Sequence, residues 1–200
     1  MNQVALVLLA AGSSKRMGQP KQLLPWNDST LLGHAIKNIL STGAFKLFLV
    51  LGAHSDQITA KVDLSGMTVL INENWQQGLG SSIAFATGEI NEKHADIKAV
   101  LFLLADQPFI ESTHLDNIIQ LHFREQESIV LTRNKEYRGV PVLFPRKFFP
   151  ELLVLSNDEG AKKVIASHKE HVMEVVTRNE TADIDTFDTY VKLRQLNKER

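Results

Sequence analysis

Val4-Ala5-Leu6-Val7-Leu8-Leu9-Ala10-Ala11-Gly12-Ser13-Ser14-Lys15-Arg16-Met17-Gly18 opens with six consecutive apolar residues and runs into a small, flexible, basic turn. An unbroken apolar run of that length suits a strand covered on both faces, the situation of a parallel sheet. Gly12, Ser13 and Ser14 leave room for backbone amides to face an anion, and Lys15, Arg16 and Lys21 bring positive charge close by. The same three cations would also make an ordinary solvated loop. Their place directly after a buried strand, where open α/β sheets bind ligands, favours a phosphate cradle.

Working outward, strands and helices alternate. Ser29 or Thr30 can cap a helix whose Leu31, Leu32, Ala35, Ile36, Ile39 and Leu40 recur at helical spacing, with Gly43 placed to end it. Leu47–Leu51 reads as a strand, Ser55–Val62 as a short helix, Thr68–Ile71 as a strand, and the stretch from Gly80 to about His94 as a helix. Val100–Ala105 is a second strongly buried strand, closed by Asp106. Beyond it the pattern predicts a helix over Thr113–Arg124, a strand at Ile129–Leu131 and another over Gly139–Phe144, where Pro141 points to an edge strand or a break. A helix from Asp158 or Glu159, a strand over Val172–Val176 and a final amphipathic helix with Phe187, Tyr190, Val191 and Leu193 complete it. The expectation is a single α/β domain over residues 1–200, Rossmann-like, with a mostly parallel, doubly wound sheet and helices on both faces.

Composition narrows the functions. Lys and Arg total 22 against 23 acids, so a net charge of −1 offers no general attraction to nucleic acid or to an anionic membrane. With no cysteine, disulfides, thiolate zinc sites and a cysteine nucleophile are excluded. No basic residue precedes Val4, and no apolar run approaches the roughly 18 residues a membrane span needs. A soluble, cytoplasmic protein is expected. His168 and His171 lack the further ligands of a zinc motif and read as a solvated helix end, and no Gly-x-Ser-x-Gly elbow supports acyl transfer.

Neither common nucleotide fingerprint fits. Five residues separate Gly12 from Gly18, which Gln19 follows, so the P-loop spacing fails; Ile83 stands where the third glycine of a dinucleotide turn after Gly78 and Gly80 would be. Asp106, just beyond a buried strand, should face the same crevice as Gly12, and it also reads as a turn former before Pro108. Gly80-Ser81-Ser82 opens a helix, where hydroxyls and free amides either cap it or hold a nucleotide. Asn74 and Trp75 line a pocket or pack beneath the turn.

Leu9 to Gly18, with Lys21 and Leu23-Leu24-Pro25, resembles the long first motif of the MobA-like nucleotidyltransferases, in particular the molybdenum cofactor cytidylyltransferases. The resemblance extends to Asn74-Trp75, Gly78, Gly80 to Ile83, Leu104-Ala105-Asp106-Gln107-Pro108, Gly139, Pro141, Asp158 to Ala161, and Asp183-Ile184-Asp185-Thr186. It implies nucleotide contact at Leu9, Ala10, Ala11, Gly12, Ser13, Lys21, Gly80, Ser81, Ser82 and Asp106, with Arg16, Lys21 and Asp106 catalytic. By the same resemblance Asp106 and Asp185 hold magnesium, with manganese as a substitute, and Asp185 also reads as the cap of the last helix. Gln107, Gly139, Pro141, Asp158 and Gly160 fall in the half that would bind the acceptor, as Gly12 falls in the nucleotide half.

Ala11 and Gln107 match the cytidylyl-transferring branch. The implied reaction moves CMP from CTP to the phosphate of molybdopterin, already carrying molybdenum, and releases pyrophosphate. Its partners would be CTP, the molybdenum cofactor and, transiently, a molybdenum-dependent oxidoreductase or its chaperone. Val140, Asn157 and Lys162 depart from the family pattern, all in the acceptor half. The rival readings are a guanylyltransferase, a sugar- or alcohol-phosphate nucleotidyltransferase of the same fold, and a nucleotide-binding chaperone without chemistry.

Overall fold

The computed structural model describes residues 3–135, 137–179 and 181–199. In chain order it forms β1 (Val4–Leu9), a small hairpin of β2 (Pro25–Trp26) and β3 (Ser29–Thr30), α1 (Leu31–Leu40), β4 (Lys46–Leu51), α2 (Ser55–Lys61), β5 (Thr68–Ile71), α3 (Leu79–Lys93) and β6 (Ala99–Leu104). There follow α4 (Ser112–Arg124), β7 (Ile129–Arg133), β8 (Arg138–Pro145), α5 (Phe149–Leu152), α6 (Lys162–Ser167), β9 (Val172–Val176) and α7 (Phe187–Lys198). Seven strands build one sheet in the order β5-β4-β1-β6-β8-β7-β9. β8 runs antiparallel to both its neighbours, and every other pairing is parallel.

The period-two alternation of strands sorts the core. On one face Val4, Leu6 and Leu8 of β1 meet Leu32, Ile36 and Ile39 of α1, Ile58 of α2 and Leu115 and Ile118 of α4. On the other, Ala5, Val7 and Leu9 meet Ile83, Ala86 and Ile90 of α3, Phe149 and Leu152 of α5 and Val164 of α6. With both faces covered, β1 and β6 can be apolar throughout, which is why they stand out in the sequence. A third, smaller cluster sets Trp26 of the hairpin against Phe109, Ile184, Tyr190 and Leu193, so α7 docks onto the segment that follows Lys21. Among the described residues no helix is long and apolar enough to cross a membrane.

Three expectations need correction. Pro141 lies in an interior strand, because β8 is flanked by β6 and β7. The proline is accommodated by an irregularity instead: Val142 pairs with Leu131 and Gly139 with Thr132, leaving Val140 and Pro141 outside the ladder. The helix expected from Asp158 or Glu159 starts only at Lys162, since residues 156–161 form a turn against the start of α3. His168 is not merely a solvated helix end, for its Nε2 lies 2.8 Å from Glu151 Oε1 and its ring meets Phe148 edge-on.

The β1–β6 pairing decides where function can sit. Its register sets Leu9 opposite Leu104, so the loops leaving the two strands emerge side by side. The chain passes from β1 to β4 on one side and reaches β6 on the other, which makes the gap between them the switch point of the sheet, the usual ligand crevice of open α/β folds.

Candidate active site

A cleft of about 760 Å³ opens at that switch point. One wall is the turn after β1. Gln22, almost fully buried, shapes it by donating from Nε2 to the carbonyls of Ala10 (2.8 Å) and Gly12 (2.9 Å). Ser14, in the left-handed region at φ 56°, accepts the Lys21 amide on its hydroxyl at 3.1 Å. These bonds turn the Gly12, Ser13 and Ser14 amides away from internal acceptors, and none of the three has one among the described residues. A Cβ at Gly12 would meet nothing within 4 Å, so the missing side chain leaves open cleft beside the backbone.

The same cleft carries charge. Lys21 Nζ donates to Asp106 Oδ2 and, at 3.1 Å, to Asp185 Oδ1, while Arg16 Nη2 lies 2.8 Å from Asp185 Oδ2. Lys21 and Asp106 are largely shielded from water, and Arg16 is open to it. Burial alone would lower the Lys21 ammonium, but the charge and hydrogen bond of Asp106, then those of Asp185, outweigh it and hold the group above its ordinary value. Burial likewise works against the Asp185 carboxylate, and Lys21 followed by Arg16 overcomes it to keep that group below its ordinary value. Asp183 is pushed up to about 6, by burial first and then by the neighbouring Asp106 charge. Asp106 Oδ1 is buried and has no hydrogen-bond partner among the described residues, an acceptor left over in a site that otherwise pairs its charges.

Leu9, Ala10, Ala11, Gly12, Ser13, Arg16, Lys21, Ser82, Asp106, Asp158 and Asp185 thus share one cleft. The other expected residues do not line it. Ser81 points back into the fold, donating to the carbonyls of Asn74 and Gly78 and accepting from Asn72 Nδ2 at 3.1 Å. Gly80 gives the turn at 157 room, since a Cβ there would stand 2.7 Å from the Asn157 carbonyl oxygen. Gly160, at φ +58°, packs on Leu79, and Gly139 makes way for the Tyr137 ring. Pro141 is tied down through its carbonyl, which accepts from the Thr132 hydroxyl at 2.9 Å, itself in contact with His114 Nε2. Gln107 is buried with its amide committed inside the fold. Asp185 does not cap the last helix, because Thr186 accepts the Thr189 amide, and its carboxylate is left to meet Lys21.

Gln22 and Asp183 lay outside the sequence-based candidates. Gln22 is one polar residue between Lys21 and Leu23, and nothing in its type betrays that it folds inward. Asp183 stands two residues before Asp185 and figured only within the resemblance's last motif, with no role attached.

Residues 6–172 match the MobA-like NTP transferase domain. The chain belongs to that family. Its relatives within and around the family include a nicotine blue oxidoreductase of Paenarthrobacter nicotinovorans, 27% identical with 94% of each chain covered, and the molybdenum cofactor cytidylyltransferase of Escherichia coli K12, 23% identical with 98% and 97% covered. Among solved structures, Rv0371c of Mycobacterium tuberculosis H37Rv superposes with a TM-score of 0.87 at 31% identity, covering 97% of this chain and 98% of that one. The same protein in complex with manganese gives 0.82 at 30% identity, covering 97% and 99%. The family match stops at residue 172, so Asp183 and Asp185 reach the cleft from beyond the matched stretch.

Proposed function

We propose that this MobA-like protein is a cytidylyltransferase that moves CMP from CTP to the phosphate of molybdenum-loaded molybdopterin, releasing pyrophosphate. What supports the reading is the convergence of Lys21, Asp106 and Asp185 at the switch point, in the same cleft as the Gly12 turn. A triphosphate needs donors along its length and positive charge where the leaving group accumulates negative charge. The Gly12, Ser13 and Ser14 amides offer the first, and Lys21 and Arg16 the second, Arg as a planar fork and Lys as a point charge.

The chemistry asks for no covalent enzyme intermediate. An oxygen of the acceptor phosphate forms a bond to the α-phosphorus of CTP while the bond from that phosphorus to the β-bridging oxygen breaks, the electron pair leaving with pyrophosphate. The protein's share is to hold donor and acceptor in line and to neutralise the moving charge. Lys21, kept protonated by its two carboxylates, is suited to follow that charge. Asp106, with its unpartnered buried Oδ1, and Asp185 are oxygen donors fitted to magnesium or manganese. No group of three metal-binding side chains occurs among the described residues, which suits a cation that takes its remaining ligands from phosphate and water. Such an ion, when bound, would offset triphosphate charge.

Ala11 lies on the cleft wall and Gln107 does not, so base choice in this reading rests on the Ala11 neighbourhood and Ser82. The acceptor would enter on the Asp158 side of the cleft, and the product would pass to a molybdenum-dependent oxidoreductase or its chaperone. Purified protein with magnesium, α-labelled CTP or GTP, and molybdenum-loaded molybdopterin tests this. Pyrophosphate release and a labelled dinucleotide with CTP are expected. Transfer from GTP alone, or onto sugar phosphates alone, replaces the substrate assignment, and tight nucleotide binding without pyrophosphate makes the protein a carrier.

A further inference from the structure

Gln107 follows Asp106 in the chain and is 4% exposed. Its side-chain amide donates to the Thr181 carbonyl at 3.2 Å and to Asp183 Oδ1 at 2.8 Å. A carbonyl and a carboxylate oxygen both demand a donor, so the amide orientation is dictated by its partners. Both donors are thus spent inside the fold, and Gln107 does not line the cleft. Its partners belong to residues 181–185, an extended segment without helix or strand of its own. That segment is stitched to the carboxyl edge of the sheet at two further points: the Ile184 amide donates to the Asp106 carbonyl at 3.0 Å, and Asn134 Nδ2 donates to the Thr181 hydroxyl at 2.8 Å. It ends at Asp185, which meets Lys21 and Arg16.

We infer that Gln107 is a positioning residue that clamps residues 181–185 across the sheet edge and so delivers Asp185 to Lys21 and Asp106. The inference rests on the transferase reading of those three side chains. An irregular segment has no ladder to order it, so each bond that fixes it offsets the entropy lost in ordering its backbone. A buried hydrogen bond to a carboxylate is among the stronger ones available for this. Reacting groups displaced by about 1 Å lose much of their catalytic benefit, so the clamp acts on turnover without touching substrate.

Amide hydrogen exchange of residues 181–186, read beside pyrophosphate release from CTP, tests the clamp in Gln107→Met, Asp183→Asn and Asp183→Leu. Gln107→Met and Asp183→Leu should speed exchange at Ile184 by about tenfold or more while β1 and β6 stay protected, and lower kcat by about tenfold with less than roughly threefold change in KM for CTP. Asp183→Asn keeps an oxygen toward Gln107 but loses the charge, and should lie between the parent and Asp183→Leu in both quantities. The inference is overturned if Gln107→Met leaves exchange or turnover as in the parent, if it slows turnover while Ile184 stays protected, or if Asp183→Asn behaves like Asp183→Leu. Loss of protection in β1 and β6 would mark a folding failure of Gln107→Met, and the two Asp183 variants then decide. If the parent itself releases no pyrophosphate, the transferase reading fails, and exchange at Ile184 alone decides whether Gln107 clamps.

Discussion

Gly12 and Lys21 separate what the fold needs from what the ligand needs. At Gly12 a Cβ has open space and no positive φ to resist it. Gly12→Ala should therefore leave thermal stability unchanged or a few tenths of a kcal/mol higher, and raise the KM for CTP by about tenfold through intrusion on the triphosphate. Calorimetry and steady-state pyrophosphate release check the pair, and a large loss of stability would show that the turn needs glycine for its own sake. Lys21→Met removes the cation shared by Asp106 and Asp185. Turnover should fall by about 10²–10³-fold, the usual cost of deleting one group that meets transition-state charge. Their place in the cleft was legible in the sequence because a glycine-and-lysine turn directly after a buried strand falls at the carboxyl edge of the sheet. Gln22 and Gln107 were not, because a glutamine reads alike whether it faces solvent, substrate or the backbone it organises, and only the fold shows which carbonyls it meets.

At the scale of elements, the start of α3 depends on close approach. A Cβ on Gly80 would stand 2.7 Å from the Asn157 carbonyl oxygen and 2.8 Å from its amide nitrogen, both rigid backbone atoms. Gly80→Ala should cost about 1–3 kcal/mol in urea unfolding, in contrast to Gly12→Ala. β1, β4, β5 and β6 and the helices between them follow closely from apolar periodicity, since these strands pair in parallel in a sheet that packs helices on both faces. Legibility fades at β8, whose antiparallel direction and interior place depend on pairing partners far along the chain, so that Pro141 left an edge strand and a break as alternatives and the structure shows the second. The helices supply a pH response. His34 on α1 and His114 and His122 on α4 are all held below the ordinary imidazole value, chiefly by burial. They stay neutral in the native protein, whereas the unfolded chain takes up protons below about pH 6.5, so stability is full above that pH and declines as pH falls toward the depressed native values. Urea unfolding at about pH 7.5 and about pH 5.5 should show the decline, and His114→Gln, which keeps a donor toward Thr132 but cannot titrate, should reduce it.

Across the whole molecule, segments far apart in the chain meet at the cleft. The turn after β1 brings Lys21, the end of β6 brings Asp106, and the segment beyond the family match returns with Asp185 before α7 locks against the hairpin, Tyr190 donating to the Pro25 carbonyl at 2.7 Å. The pairing of β1 with β6 accounts for the first two, and the C-terminal docking for the third. In the proposed reading Lys15, Arg16 and Lys21 are the local positive charge for one triphosphate, set in the same cleft as the carboxylates that would hold its cation. A crystal structure with magnesium and a non-hydrolysable CTP analogue tests that claim most directly. The expected result places the triphosphate between the Gly12–Ser14 amides and Lys21, with the cation on Asp106; a nucleotide bound away from Lys21 and Asp106 would contradict it.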